Sequence, residues 1–382
     1  MLRVKTPQEE REFEAYVEAL FRLDSPTKVY QELNKLGVPA PYRLRIKVLY
    51  SKISVRDVIE GLVKNGQIEH IREKSRTYIF KTTVGRLRSR KVQVPFFVEA
   101  FEQSGLSENV QSIISICRTD SWKALSRLTR NAYPRLVPIL LSQSELIGSA
   151  KSLRKITGHN VKVRALSAKE PFNVNGKKGD YQKSVRVWTD EDLDRVILSV
   201  QDRRQAITSI DMEFFQIIGD QAHVLPSAIC KIRKNGEIEV TGSFKIAFDA
   251  VATEIAKIGE KKLRFFSGRG LRFSDFKPRP LAVNFKQPVF EKLDQVRNFV
   301  DILSKYPHSM RAVLHGNPYA HVKLTDILDG SSFDVWAISP SRIAMMPGLK
   351  ASEAAFERFV HYIFEKFREG SISNYDYEGR PL

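Results

Sequence analysis

Two stretches in the second half of this sequence match each other, element for element. Asp192-Leu193-Asp194-Arg195-Val196 is answered by Lys292-Leu293-Asp294-Gln295-Val296, 100 positions on, and Ala222-His223-Val224 by Ala320-His321-Val322, 98 positions on. In each stretch a helical pattern (Asp190–Arg204; Val289–Lys305) leads into strand-like segments (Ile207–Phe215, Ala222–Ile232, Gly236–Thr241; Arg311–Leu324, Ser331–Ser339, Arg342–Met346). Each closes on an amphipathic helix, Phe244–Ile258 in the first and Ser352–Phe367 in the second. Such a recurrence predicts a duplicated αβββα unit at residues 188–260 and 281–382. Packed side by side, the copies are expected to join their strands into one antiparallel sheet with helices on one face, which makes the fold class α+β. Dimerisation, as a homodimer, or partner binding is the role expected of this C-terminal module.

The first half is built differently. Ser25-Pro26 supplies an N-cap and a Pro at the first helical position, and Gly37 stops a helix carrying Val29, Tyr30, Leu33 and Leu36. The run Tyr42-Arg43-Leu44-Arg45-Ile46-Lys47-Val48 alternates with period 2, which predicts Arg43, Arg45 and Lys47 on one open, basic face and Leu44, Ile46 and Val48 on the other. After Lys52, Ser54 and Asp57 have the spacing of a capping box, and Val55, Val58, Ile59 and Leu62 recur at helical spacing until Gly66. Gln67–Ile71 and Arg76–Lys81 then flank a polar turn as a hairpin.

That order of helix, turn, helix and basic-tipped hairpin over residues 25–82 resembles the winged-helix superfamily of DNA-binding domains, some members of which serve as protein–protein modules instead. The resemblance implies an N-terminal DNA-binding domain at 1–92. It implies a recognition helix at Val55–Asn65 exposing Arg56, Lys64 and Asn65, and a wing whose Arg72, Lys74 and Arg76 meet DNA backbone or minor groove. Asp57 and Glu60 on the same helix depart from that pattern, because outward-facing carboxylates oppose phosphate.

Charge distribution points the same way. The chain has 62 Lys+Arg against 44 Asp+Glu, net +18; Met1–Val187 holds 35 basic and 18 acidic residues, whereas Trp188–Leu382 holds 27 and 26. A positive surface attracts a polyanion and releases its counterions, so nucleic acid, duplex DNA first, is the expected partner. Arg86, Arg88, Arg90 and Lys91 suit either a phosphate-tracking arm or a solvated linker. Val94–Asn131 reads as a helical extension (93–133) in which Lys123, Arg127 and Arg130, spaced by 4 and 3, share one face. Residues 134–187 read as strand, helix, strand, ending in a loop with Lys177 and Lys178. The crossover at 261–280 carries seven basic and four Phe residues around Gly268-Arg269-Gly270; Arg269 and Arg272 are expected to contact nucleic acid, and Phe265 and Phe266 to anchor the segment.

Sites for chemistry are sparse. No P-loop, GxSxG, HExxH or paired CxxC occurs, and no cofactor is expected. Asp211 and Glu213 on one strand face, with His315 and His321 flanking an Asn-Pro turn, form the alternative metal site of a nuclease; a structural role suits the histidines better. Cys117 and Cys230 read as buried thiols. With no membrane-length apolar run and no signal-peptide apolar region after Met1, an intracellular, cytoplasmic location and no membrane partner are expected. The sequence thus reads as a DNA-binding transcriptional regulator or replication or defence accessory factor, non-enzymatic, with a metal-dependent nuclease as the alternative.

Overall fold

The computed structural model describes residues 6–23, 26–36, 38–71, 76–84, 90–101, 104–153, 160–169, 184–188, 193–202, 206–218, 223–269, 279–307, 309–315, 320–348 and 350–375. It is an α+β protein whose described strands form two antiparallel sheets. The chain divides into two compact units, one of Met1–Ala168, Val185–Val200 and Ile207–Lys261, the other of Lys262–Leu382 with Lys169–Ser184 and Gln201–Ala206.

The first unit opens with helices α1 (Pro7–Phe21) and α2 (Pro26–Lys35), then runs β1 (Arg43–Tyr50), α3 (Val55–Lys64), β2 (Glu69–His70), β3 (Thr77–Val84), β4 (Arg90–Ala100), β5 (Val110–Cys117) and α4 (Thr119–Asn131). It continues through β6 (Val137–Pro138), α5 (Gln143–Leu153), β7 (Asn160–Lys169), β8 (Ser184–Trp188), α6 (Leu193–Asp202), β9 (Ala206–Ile218), β10 (His223–Arg233) and β11 (Glu237–Gly242). A last helical stretch follows: α7 (Phe244–Ile246), a π-helical turn (Ala247–Ala252) and α8 (Thr253–Phe266), whose last residues, from Lys262 on, belong to the second unit. These strands make an 11-stranded sheet in the order β2-β3-β4-β5-β1-β11-β10-β9-β7-β8, with β6 beside β1.

Local signals explain these elements. Ser142 Oγ accepts from the Glu145 N–H (3.1 Å) and Glu145 Oε2 from the Ser142 N–H (2.7 Å), a capping box that opens α5. Gly66 ends α3 at φ +71°. Between β10 and β11 the three-residue loop Lys234-Asn235-Gly236 places Gly236 at φ +69°, where a Cβ would stand 2.5 Å from the Ile139 carbonyl oxygen.

In the sheet, Phe96 faces α3 and α4, packed with Leu49, Val58, Ile59, Ile113, Trp122, Leu125 and Leu128. Its neighbour Phe97 faces the other side, against Phe21 of α1 (5.6 Å) and Phe244 of α7 (6.5 Å). Helix α2 meets α7, where Asn34 Oδ1 accepts from the Lys245 N–H (2.8 Å). The helices that the winged-helix order sets next to each other therefore lie on opposite faces of this sheet, with β1 between them in sequence.

The second unit holds β12 (Leu281–Asn284), α9 (Leu293–Ser304), β13 (Ser309–His315), β14 (His321–Asp326), β15 (Ser332–Ser339), β16 (Arg342–Pro347), α10 (Glu353–Lys366) and β17 (Ser371–Asn374). Its sheet order is β13-β14-β15-β16-β12-β17. Both helices cover one face, burying Phe299, Leu303, Phe356 and Phe359 against Val322, Phe333, Val335 and Ile343.

Three expectations are corrected. Val94–Asn131 is not a helical extension but β4, β5 and then α4: runs such as Phe96-Phe97-Val98 are buried on both sheet faces and so lose the period-2 signature of a strand. Arg311–Leu324 is a hairpin of two strands, so the second copy has four strands between its two helices where three are expected. The strands of 188–260 and 281–382 do not share a sheet, because β1 occupies the open edge of β11 and β17 that of β12. The pair that does match is another one. Residues 43–131 and 281–366 both run β-α-β-β-β-β-α, and both order their strands as second, third, fourth, fifth, first.

Candidate nucleic-acid interface

Helix α4 buries Trp122, Leu125 and Leu128, spaced three apart, against the Phe96 face of the sheet. Each such side chain contributes roughly 1.5–3 kcal/mol when fully buried. That docking turns Lys123, Arg127 and Arg130 outward, all three exposed, and Arg135 just beyond the helix is exposed as well. Lys123 lies 3.6 Å from Asp120, a loose surface pair. Among the described residues Arg127 and Arg130 form no ion pair. Lys64 and Asn65, exposed at the C-terminal end of α3, stand on the same side of the sheet, and Lys52 and Lys91 are exposed too.

The other basic candidates fare differently. Arg56 lies 3.7 Å from Glu60, which also takes a hydrogen bond from the Tyr78 hydroxyl (2.9 Å) and contacts His70 Nε2 (3.0 Å). Burial, then Glu60, pushes the Tyr78 phenol above its ordinary range. Arg76 lies 3.9 Å from Glu99. Arg56 and Arg76 line a cavity of about 510 Å³ with Asp57, Glu60 and Glu108, an acid-rich surrounding that opposes a polyanion. Arg72, Lys74, Arg86, Arg88, Lys177, Lys178 and Arg272, and the side chain of Arg90, lie outside the described residues.

The basic face expected for Arg43, Arg45 and Lys47 is corrected. Strand β1 sits in the middle of the sheet, paired with β5 on one side and β11 on the other, so Arg45 and Lys47 are buried and Arg43 half-buried. Arg45 pairs with Glu237 (2.9 Å) and Glu239 (3.3 Å) and donates to Thr119 Oγ1 (3.0 Å); Arg43 lies 3.5 Å from Glu239. Burial pushes the Glu239 carboxyl up, but Arg45, Arg233 and Arg43 outweigh it and hold the group below its ordinary value. Burial pushes the Lys47 amine down to about 8, reinforced by Arg130 and opposed by Glu237.

Sequence reasoning missed the array these residues belong to. The register sets Arg45 opposite Glu239, Glu239 opposite Lys231 and Lys231 opposite Asp211, all on one face. Asp211 is held by Arg186 (2.6 Å) and Lys231 (3.1 Å), Glu237 and Glu239 by Arg233 (3.1 Å each), and Glu213 lies 3.7 Å from Arg164. Signs alternate from strand to strand across four neighbours. The local signal was Lys231-x-Arg233 and Glu237-x-Glu239 across one tight turn.

The alternative metal set is not assembled. Asp211 and Glu213 are already neutralised by bases, and they lie in a different sheet from His315 and His321. His321 Nε2 contacts Asp334 Oδ1 (3.0 Å) and its ring packs on Trp336 (4.7 Å); His315 is its register partner, with a side chain outside the described set. No group of three or more His, Cys, Asp or Glu that could hold a metal occurs among the described residues.

Arg269 is also corrected, from nucleic-acid contact to an internal tie. It is buried; Nε donates to the Phe265 carbonyl (2.9 Å), Nη1 to the carbonyls of Arg279 (3.2 Å) and Pro280 (3.0 Å), and Nη2 to Asn374 Oδ1. Its donor fork closes the end of α8 onto the start of β12 and the end of β17. Phe266 is in the core and Phe265 packs against it, as anchors. Cys117 and Cys230 are free and buried, each thiol pushed up to about 12 by burial.

Among the described residues no helix is long and apolar enough to cross a membrane. Compared with known proteins, the chain matches no family model and no curated sequence.

Proposed function

We propose that this protein binds nucleic acid, duplex DNA in the first instance, by laying the outer side of α4 along the phosphate backbone, with Lys64 and Asn65 of α3 as flanking contacts. The observation that supports this reading most directly is the exposed line Lys123, Arg127, Arg130, on the half of the chain that carries nearly all the positive excess. A helix rises 1.5 Å per residue, so the line extends for about 10 Å, enough to meet successive phosphates of one strand. Contacts of this type position a protein without reading sequence, and they suit an accessory or architectural role as well as a regulator whose base contacts come from elsewhere.

The experiment is fluorescence anisotropy of labelled duplex and single-stranded DNA against the full chain across a salt series, with a magnesium-containing gel run in parallel. Lys123→Ala/Arg127→Ala/Arg130→Ala should weaken duplex binding roughly tenfold or more and lower the salt slope by about 0.9 for each phosphate that is no longer neutralised. Wild-type binding that ignores salt, or a triple variant that binds like wild type, removes the proposal. A product ladder on the gel would move the reading to the nuclease.

A further inference from the structure

Nine large apolar side chains are exposed among the described residues, and five of them fall between Met310 and Leu328. Met310, Val313 and Leu314 are on β13; Ile327 and Leu328 follow β14 in the turn beside the start of β13, where Ser309 pairs with Asp326. All five are between 47% and 62% exposed. Among the described residues β13 is the outer strand of its sheet, hydrogen-bonded to β14 alone, and every residue from Met310 to Leu314 is exposed.

Such an edge is ordinarily guarded by charges, by Pro or by being very short. The matching strand of the first unit, β2, is two residues long, whereas β13 has seven. The one charge in Met310–Leu314, Arg311, is turned towards α9, where Nη1 donates to the Val300 carbonyl (3.1 Å). The outer edge is thus long and apolar, with Arg311 its one charge between Met310 and Leu314.

We propose that β13 pairs antiparallel with β13 of a second copy of this chain, about a two-fold axis through Ala312. This register sets Met310 opposite Leu314 of the partner subunit and Arg311 opposite Val313 of the partner subunit, so no like charges face each other. A basic peptide strand would find no counter-charge between Met310 and Leu314, and an acidic one would find Arg311 alone. The opposite edge of the same sheet, β17, is the four-residue Ser371-Ile372-Ser373-Asn374, which matches β13 in neither length nor polarity. Self-pairing therefore fits better than head-to-tail joining, and it closes at two copies instead of growing a fibre.

Sedimentation velocity of the full chain across a concentration series tests the proposal, with two variants at exposed positions. Wild type should be a dimer at micromolar concentration. Met310→Lys/Leu314→Lys should dissociate it, or weaken it roughly tenfold or more, with the far-UV circular dichroism of wild type retained. Ala312→Cys should give a reducible covalent dimer under mild oxidation, since Cα atoms facing across an antiparallel pair lie within disulfide reach. The native thiols are buried and leave that readout clean. A chain that stays monomeric throughout, a dimer indifferent to the two lysines, or an Ala312→Cys dimer that never cross-links overturns the proposal.

Discussion

Residues 43–131 and 281–366 follow the same path through the same strand order, yet their outer surfaces differ. In the first, α4 exposes Lys123, Arg127 and Arg130; in the second, the equivalent helix α10 exposes only Glu365. The end of α8 accounts for part of that cover: the Gly268 N–H donates to Glu353 (2.8 Å), and Lys262 lies 3.7 Å from Glu357. The edges are reversed as well, two residues at β2 against seven at β13. A shared framework leaves function to whatever is mounted on it. Here one framework presents charge on a helix and the other an apolar strand.

The sharpest way to break this comparison is through the cores. Phe96 on β4 and Phe333 on β15 occupy matching strands under matching helix pairs, and both are fully buried. Phe96→Ala and Phe333→Ala should each cost about 3–5 kcal/mol. Limited proteolysis should find the new susceptibility in the first unit for one and in the second for the other; cleavage spread evenly over both would mean that the units do not melt separately.

Next in size is Lys47→Met. The amine is near 8 in the folded protein and at its ordinary 10.5 unfolded, so the unfolded chain binds more protons between those values. Wild type should therefore gain stability as pH rises from about 8 to 10.5, with the full penalty present below 8. The variant should lose that slope and be more stable at neutral pH, on the order of 3 kcal/mol. Chemical denaturation at several pH values decides it, and an unchanged slope would remove Lys47 as its source.

Arg269→Met should destabilise the second unit by about 2 kcal/mol, because the acceptors it serves are left unmatched. It should leave duplex affinity alone, and a parallel loss of DNA binding would restore the contact role read from the sequence. The smallest effect is none at all: with their thiols at about 12, Cys117 and Cys230 should resist alkylation in native buffer and react only in denaturant. Rapid native labelling would show that the first unit, which holds both thiols, opens readily.

Much of this architecture was legible locally. The helices opened by Pro26 and Ser54, the hairpin into β3, strands β9 to β11, and helices α9 and α10 follow from caps, Gly stops and periodicity. The basic line on α4 was legible from spacing alone. What escaped was whatever depends on distant partners. Arg45 meets Glu237 192 positions away, so alternation in 42–48 truthfully reported a strand but not the strand beyond its charged face. Arg269 looked like a nucleic-acid contact because its four acceptors lie on Phe265, Arg279, Pro280 and Asn374, and no short window contains them all.

The distance between β1 and β11 bears on how the chain is made. During synthesis β5 can pair with β1 early and β6 can take Leu49 and Tyr50, but the stretch Leu44–Lys47 keeps its other edge bare until Glu237–Gly242 has left the ribosome. For that interval Arg43, Arg45 and Lys47 line the open strand and discourage neighbouring nascent chains from pairing with it, as edge charges do. Glu237 and Glu239 then arrive with the one strand that can neutralise them, so the same three side chains that repel strangers early admit the correct neighbour late.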